Sequence, residues 1–203
     1  MLQRPLSPVL LTREQGKNDK LGALLSAAGV PHEELPCISF ERLQGCSELE
    51  ASLQQGGFDW CIITSPESAS VFLDSWKASG SPAVRIASVG AGTAQVLESA
   101  GLESDFVPSK ATGKMLAAEL PVDSDGKHVA LYPASAIASS NIEDGLQARG
   151  VVTHRINTQV VNRTILTQPG LEIPLYLMGS CCSVRVWAER AGTSAVAVRH
   201  FCR

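Results

Sequence analysis

Short runs of apolar, β-prone residues recur along this chain, and each ends abruptly in a polar turn that runs straight into a helix-period segment. Trp60-Cys61-Ile62-Ile63 gives way to Thr64-Ser65-Pro66-Glu67, after which Ala69, Phe72, Leu73 and Trp76 return at helical spacing. An uninterrupted apolar strand has no polar face to show water, so both of its sides need cover. A strand, a turn and an amphipathic helix in that order form the half-unit of a parallel sheet with right-handed crossovers. The fold expected is therefore α/β.

The same unit recurs along the chain. Val9-Leu10-Leu11-Thr12-Arg13 reads as a buried strand and turn, followed by a helix face of Leu21, Leu24, Leu25 and Ala28 that Gly29 stops. Glu34 to Phe40 reads as a second strand, and Ser47-Glu48-Leu49-Glu50 as a capping box whose helix ends at Gly56-Gly57. After the strand at 59–63 and helix at 66–78 come a strand from Arg85 to Val89 and the turn Gly90-Ala91-Gly92-Thr93 into another helix. Asp105-Phe106-Val107 reads as a brief strand, with a helix over Gly113 to Leu120 after it. Val129 to Tyr132 is a strand with Pro133-Ala134-Ser135 as its turn, then a helix over Ser140 to Arg149 and a last strand from Val151 to Thr158. From Gln159 onward the alternation weakens, although Gly179 to Trp187 contains material for a strand.

Composition narrows the function classes. With 203 residues, 44% hydrophobic and 18% charged, the chain matches an ordinary globular protein. A net charge of −3 gives no basic footprint for nucleic acid. No apolar run reaches the roughly 18–20 residues that span a bilayer, and Met1-Leu2-Gln3-Arg4-Pro5 does not read as a secretory signal. The six cysteines lack C-x-x-C spacing, and Cys37 and Cys61 fall within expected strands, which points to unbridged thiols in a reducing, intracellular compartment.

Ligands of open α/β sheets bind at the carboxyl ends of the strands, where Thr64-Ser65, Gly90 to Thr93 and Pro133 to Ser135 would lie. Ser65-Pro66-Glu67 is a helix start with Ser at N-cap and Pro at N1. Capping is one role for it; receiving a ligand carboxylate on the hydroxyls and free N–H groups is another, and spacing leaves both open. Gly90-Ala91-Gly92 begins like a dinucleotide fingerprint but has Gln95 at the third glycine, and Gly113-Lys114 lacks the other residues of a P-loop. His32, His128, His154 and His200 show no metal-ligand spacing, and Ser65 lies in no G-x-S-x-G elbow. Arg13 is the cation best placed at a strand end, for an anionic ligand or for a solvated ion pair. Strand-end hydroxyls, backbone donors and one arginine, without nucleophile, metal or cofactor site, suit recognition of a polyanion.

The ordered turns resemble the uroporphyrinogen-III synthase family. The matching pieces are Leu10-Leu11-Thr12-Arg13, Thr64-Ser65-Pro66, Ser88-Val89-Gly90 with Gly92-Thr93-Ala94, Leu131 to Ser135, Asn141 to Gly150, and Arg155-Ile156-Asn157-Thr158, in a style similar to plant and algal members. The resemblance implies two lobes of parallel sheet flanked by helices, joined by a two-strand linker, with the active site in the cleft between them. The first lobe would be discontinuous, 1–38 plus 159–203, and incomplete; the second would span 39–158. It implies a hydro-lyase of haem and chlorophyll biosynthesis that uses no cofactor and no metal. Its substrate would be hydroxymethylbilane, a linear tetrapyrrole with eight carboxylates, closed with inversion of ring D and loss of water. Carried over turn by turn, Arg13, Thr64, Ser65, Gly90, Thr93, Ser135 and Ser139 would be binding positions. A monomer in the plastid is expected, with the cytoplasm as the alternative.

One departure bears on activity. Family members usually carry a tyrosine directly after the Asn157-Thr158 equivalent, a candidate for assisting departure of the hydroxyl, and here that position is Gln159. The later family turns are not intact in 159–203, where Gly179-Ser180 and Gly192-Thr193 are poor echoes, so an inactive member is a second expectation. A non-catalytic α/β module binding a tetrapyrrole or small anion would show the same strand-end hydroxyls. Gaps in the first lobe would leave Val9 to Thr12 uncovered, each large side chain forgoing about 1.5–3 kcal/mol.

Overall fold

A computed structural model of the chain describes residues 8–122, 128–163 and 176–178. In chain order the elements begin with β1 (Val9–Leu11), α1 (Asp19–Ala27), β2 (His32–Glu34), β3 (Ile38–Arg42), α2 (Gly45–Gln55), β4 (Trp60–Ile63) and α3 (Pro66–Ala78). They continue with β5 (Ile86–Ser88), α4 (Ala91–Glu98), α5 (Gly113–Glu119), β6 (His128–Ser135), α6 (Asn141–Gln147), β7 (Val151–Arg163) and β8 (Tyr176–Met178). Two compact units result, Met1–Phe40 with Val161–Arg203, and Glu41–Val160. β3 and β7 are the strands in which the chain passes from one unit to the other.

The first unit has a sheet ordered β2-β1-β8, with β1 parallel to both neighbours. Val9, Leu10, Leu11 and Thr12 are all buried, so the return of the chain through β8 gives β1 a partner on each edge where the sequence suggested bare surface. Leu24, expected on the covered face of α1, is instead 61% exposed.

The second unit carries a sheet ordered β3-β7-β6-β4-β5, with β6 parallel to β7 and β4, and β4 parallel to β5. The four apolar residues of β4 explain its place inside the sheet, between β6 and β5, because alternate side chains feed opposite faces. Trp60 and Ile62 join Leu116 of α5, Leu120 at its C-cap, and Ile142 and Leu146 of α6. Cys61 and Ile63 join Leu49, Leu53, Phe72 and Leu97 from α2, α3 and α4. Burying a side chain such as Phe72, fully enclosed here, is worth about 1.5–3 kcal/mol. Trp60 is fixed further by its indole N–H donating to Pro121 O at 3.0 Å and by the Arg85 guanidinium 4.1 Å above its ring.

Several local expectations are corrected. The single strand expected from Glu34 to Phe40 is two, β2 and β3, with Leu35-Pro36-Cys37 between them. Pro36 has no N–H for a ladder, while the flanking Leu35 and Cys37 N–H groups donate to Leu11 O and Thr12 O before the chain enters the other sheet. Cys37 is therefore buried outside any strand. The helix expected to start at Ser47 starts at Gly45, with Gln44 at N-cap and no side-chain cap. Pro133-Ala134-Ser135 is strand, not turn: β6 pairs with β7 through Ser135, whereas its pairing with β4 involves only Ala130 and Leu131. A proline is tolerated there because its missing N–H falls where β6 has a neighbour on one side. Phe106 makes a lone bridge to Ala87 in place of a strand, and β7 runs on past Thr158 to Arg163. The strand suggested over 179–187 lies outside the described residues.

Candidate functional site at the strand ends of the larger sheet

Because β4, β5 and β6 run parallel, their carboxyl ends share one edge of the sheet. Thr64 and Ser65 follow β4, Gly90 follows β5, and Ser135 ends β6. Ser139 is exposed in the turn leading to α6. Arg13, half-buried after β1, belongs to the other unit, and no ion pair joins it to another described residue.

The start of α3 is built as its sequence suggests. Ser65 has extended backbone, φ −151° and ψ 159°, and its Oγ accepts the Ser68 N–H at 3.0 Å. Pro66 has no N–H, so the free donor at this helix mouth is the N–H of Glu67. The Ser68 and Ser65 hydroxyls lie 3.0 Å apart. Thr64 hydrogen-bonds the hydroxyl of Tyr132, a buried residue of β6. Burial pushes the Tyr132 phenol above its ordinary pKa and the nearby Glu143 carboxylate adds to the rise, opposed by the Thr64 hydrogen bond and the Arg155 guanidinium. The phenol is thus protonated at neutral pH.

At the end of β5, Gly90 caps α4 with extended backbone. A Cβ on Gly90 would sit 3.0 Å from Ala111 Cβ, a close approach that favours glycine. Thr93 is buried in the first turn of α4, 4% exposed, with its N–H bonded to Gly90 O.

The end of β6 is held by Arg155, a residue to which the family resemblance assigns no role. Arg155 of β7 donates to Ser135 O at 2.9 Å, Ala138 O at 3.1 Å, Asn157 Oδ1 at 3.0 Å and Glu143 Oε1 at 2.8 Å. One guanidinium thereby fixes the turn between β6 and α6, using the fork of donors that suits arginine to such work. The available signal was an arginine inside an otherwise β-prone strand, Thr153 to Thr158. The Ser135 Oγ itself is buried and has no partner among the described residues.

Gln159, opposite Ser135 in the β6–β7 register, is also buried, at 3% exposure. Its Nε2 donates to Ser68 Oγ at 3.1 Å, while its Oε1 has no partner among the described residues. In the sequence Gln159 stands out only as the absent family tyrosine. Its packing against the start of α3 was hidden by a separation of 91 residues.

The described residues contain no group of three or more His, Cys, Asp or Glu able to hold a metal ion. No helix among them is long and apolar enough to cross a membrane. Cys37, Cys46 and Cys61 carry thiols that form no disulfide; Cys181, Cys182 and Cys202 lie outside the described residues.

Comparison with known proteins places these strand ends in context. The chain is 44% identical over 199 residues to a protein of Oryza sativa named uroporphyrinogen-III synthase, chloroplastic, covering 92% of this chain and 66% of that one. It is 27% identical over 162 residues to the uroporphyrinogen-III synthase of Synechococcus elongatus, covering 75% of this chain and 60% of the other. The chain thus spans somewhat less than two thirds of the length of these relatives. In fold it is similar to a crystal structure of a mutant Thermus thermophilus uroporphyrinogen III synthase, with a TM-score of 0.58 at 20% identity over 78% of this chain and 64% of that one. A Helicobacter pylori uroporphyrinogen-III synthetase structure matches with a TM-score of 0.53 at 16% identity, over 80% and 65% of the two chains. The family model described as uroporphyrinogen-III synthase HemD matches residues 19–161. The chain belongs to the uroporphyrinogen-III synthase family.

Proposed function

We propose that this chain binds hydroxymethylbilane and closes it to uroporphyrinogen III, as a hydro-lyase of tetrapyrrole biosynthesis. The observation that carries this reading is the shared edge of β4, β5 and β6. Two helix starts and the Thr64, Ser65 and Ser135 hydroxyls converge there, with the Ser135 Oγ buried and unpaired among the described residues. An unpaired buried hydroxyl costs about 1–3 kcal/mol, and a substrate carboxylate would relieve it. Helix N-termini favour anions through their free N–H groups and the helix dipole. The carboxylate of Glu143, which would repel such a ligand, is held by Arg155 at 2.8 Å. Thr64, Ser65, Gly90, Thr93, Ser135 and Ser139 are the proposed binding positions at this edge, and Arg13 is proposed as a carboxylate-binding position in its own unit.

The reaction is chiefly a matter of conformation. Loss of the hydroxymethyl oxygen as water leaves an electrophilic methylene on ring A, at the end of the chain opposite ring D. Attack on it by the substituted α-carbon of ring D gives a spiro intermediate. Its collapse breaks the bond from that carbon to the ring C methylene, which then bonds to the free α-carbon of ring D with loss of a proton, so that the macrocycle is completed with ring D inverted. No net oxidation or reduction occurs. Holding the eight carboxylates so that the substituted carbon of ring D, and not its free one, meets the methylene is proximity and orientation catalysis. Donors fixed at the strand ends can also stabilise charge as it develops.

Free hydroxymethylbilane closes unaided to the type I isomer. The test supplies fresh substrate in a coupled assay and separates the oxidised products; excess type III isomer over a no-protein control is the expected result. Type I alone, from folded protein, would refute the reading. We further propose that the protein acts as a monomer in the plastid, the compartment named for the rice relative, with no nucleic-acid partner. Sedimentation and a fluorescent fusion of the full-length protein test the first two.

A further inference from the structure

At the start of α3 three polar side chains form a line, Gln159 to Ser68 to Ser65. The Gln159 amide nitrogen lies 3.1 Å from Ser68 Oγ, which lies 3.0 Å from Ser65 Oγ. Ser68 is 1% exposed and Gln159 3%, so water does not share these bonds freely. An amide N–H donates and never accepts. The Ser68 hydroxyl hydrogen therefore has no use for Gln159 and, among the described residues, only Ser65 Oγ to go to. Ser65 Oγ already accepts the Ser68 N–H at 3.0 Å. With both lone pairs engaged, the half-exposed Ser65 hydroxyl has one function left, to donate outward.

The geometry points to Gln159 as a positioning residue that fixes the polarity of this relay, making Ser65 a dedicated donor to an anionic oxygen of the ligand. This deepens the proposed function and rests on it, since it takes Ser65 to meet a substrate carboxylate. A side chain that accepts from Ser68 would reverse the line. Ser68 would then donate to that side chain, Ser65 would donate to Ser68, and no hydroxyl hydrogen would face the ligand.

The test is a double-mutant cycle in the full 203-residue chain between Ser65→Ala and Gln159→Glu. The probe is uroporphyrin III, the oxidised product with eight carboxylates, and binding is measured by calorimetry at pH 7.5. A charge-assisted hydrogen bond to the ligand makes Ser65→Ala weaken binding about tenfold. Gln159→Glu is expected to weaken it similarly in the parent and to add little in the Ser65→Ala background. Lowering the pH until the introduced carboxylate protonates gives it an O–H that donates to Ser68. The ratio of mutant to parent affinity should then recover, a response that a merely structural role would not produce. If the two losses multiply, the introduced carboxylate acts by charge repulsion and the relay is overturned. The relay is also overturned if Gln159→Glu is neutral while Ser65→Ala is not, because the amide then presents its oxygen to Ser68. If Ser65→Ala itself is without effect, the proposed carboxylate site fails and the relay with it. Should Gln159→Glu not fold, Ser68→Ala replaces it. That variant keeps the backbone N–H to Ser65 Oγ and offers no inward acceptor, so the Ser65 hydrogen still faces the ligand and binding should stay near the parent's, whereas a loss as large as that of Ser65→Ala would refute the relay.

Discussion

Gly45 should be among the least replaceable glycines of the chain, although it is the first residue of a helix and alanine is the better helix former. A Cβ at Gly45 would lie 2.2 Å from Asn157 O and 2.9 Å from its carbonyl carbon, both backbone atoms of β7. The shorter distance is more than about 1 Å inside an ordinary contact, so α2 must move off the strand. That movement stretches the bonds pinning the same junction, Leu43 N–H to Thr158 O at 2.9 Å and Cys46 Sγ–H to Thr158 O at 3.3 Å. Overpacking costs about 1–3 kcal/mol, each strained hydrogen bond risks about 1 kcal/mol, and helix propensity returns at most roughly 1 kcal/mol. Gly45→Ala is therefore expected to destabilise the 41–160 unit by about 2 kcal/mol. Gly92 in α4 is the control, since a Cβ there meets nothing within 4 Å and its backbone is helical. Gly92→Ala should stabilise by about 0.5–1 kcal/mol. Urea unfolding followed by tryptophan fluorescence reads this unit through Trp60 and Trp76. With a urea slope of roughly 1–3 kcal/mol/M, the Gly45→Ala midpoint should fall by about 1 M. Equal or same-sign shifts for the two variants would refute the steric argument.

Arg155→Met removes the donors to Ser135 O, Ala138 O and Glu143 and leaves a partly buried carboxylate unpaired; a loss of about 1–3 kcal/mol and faster amide exchange over 135–140 are expected, and unchanged exchange would refute its bracing role. Tyr132 titrates above its ordinary pKa in the folded state, so its contribution to stability is fully present below about pH 10. That contribution is lost as pH rises through the folded pKa, because the unfolded chain gives up the proton first. Tyr132→Phe should therefore flatten the alkaline limb of stability against pH, and an unaltered limb would refute the assignment. Cys61 is completely buried, with its thiol pKa pushed well up by desolvation, whereas half-buried Cys46 is raised by a smaller burial that Arg42 opposes. Peptide-resolved alkylation of the native protein at pH 8 should find Cys46 modified slowly and Cys61 protected until unfolding; rapid native labelling of Cys61 would contradict the packing of β4.

Local sequence was a sound guide wherever the determining interactions span a few residues. The change from Trp60-Cys61-Ile62-Ile63 to Thr64-Ser65-Pro66 located β4 and the start of α3, because strand alternation, N-cap chemistry and helical spacing all act within one turn or a few strand residues. It misplaced the start of α2 because the capping box at Ser47 competes with a close approach between Gly45 and Asn157, a contact across more than a hundred positions. It merged β2 and β3 because both are β-prone, and only their different sheet partners separate them at Pro36.

Reading along the chain was enough to establish the parallel α/β character, the order of the turns and the identity of the hydroxyls at the strand ends. All of these follow from burial pattern and backbone preference, which act between near neighbours. Three-dimensional packing was needed to show that Arg155 braces the end of β6, that Tyr132 meets Thr64, and that Gln159 turns inward onto Ser68. Those outcomes depend on which strands lie side by side, and strand pairing leaves no mark in local periodicity.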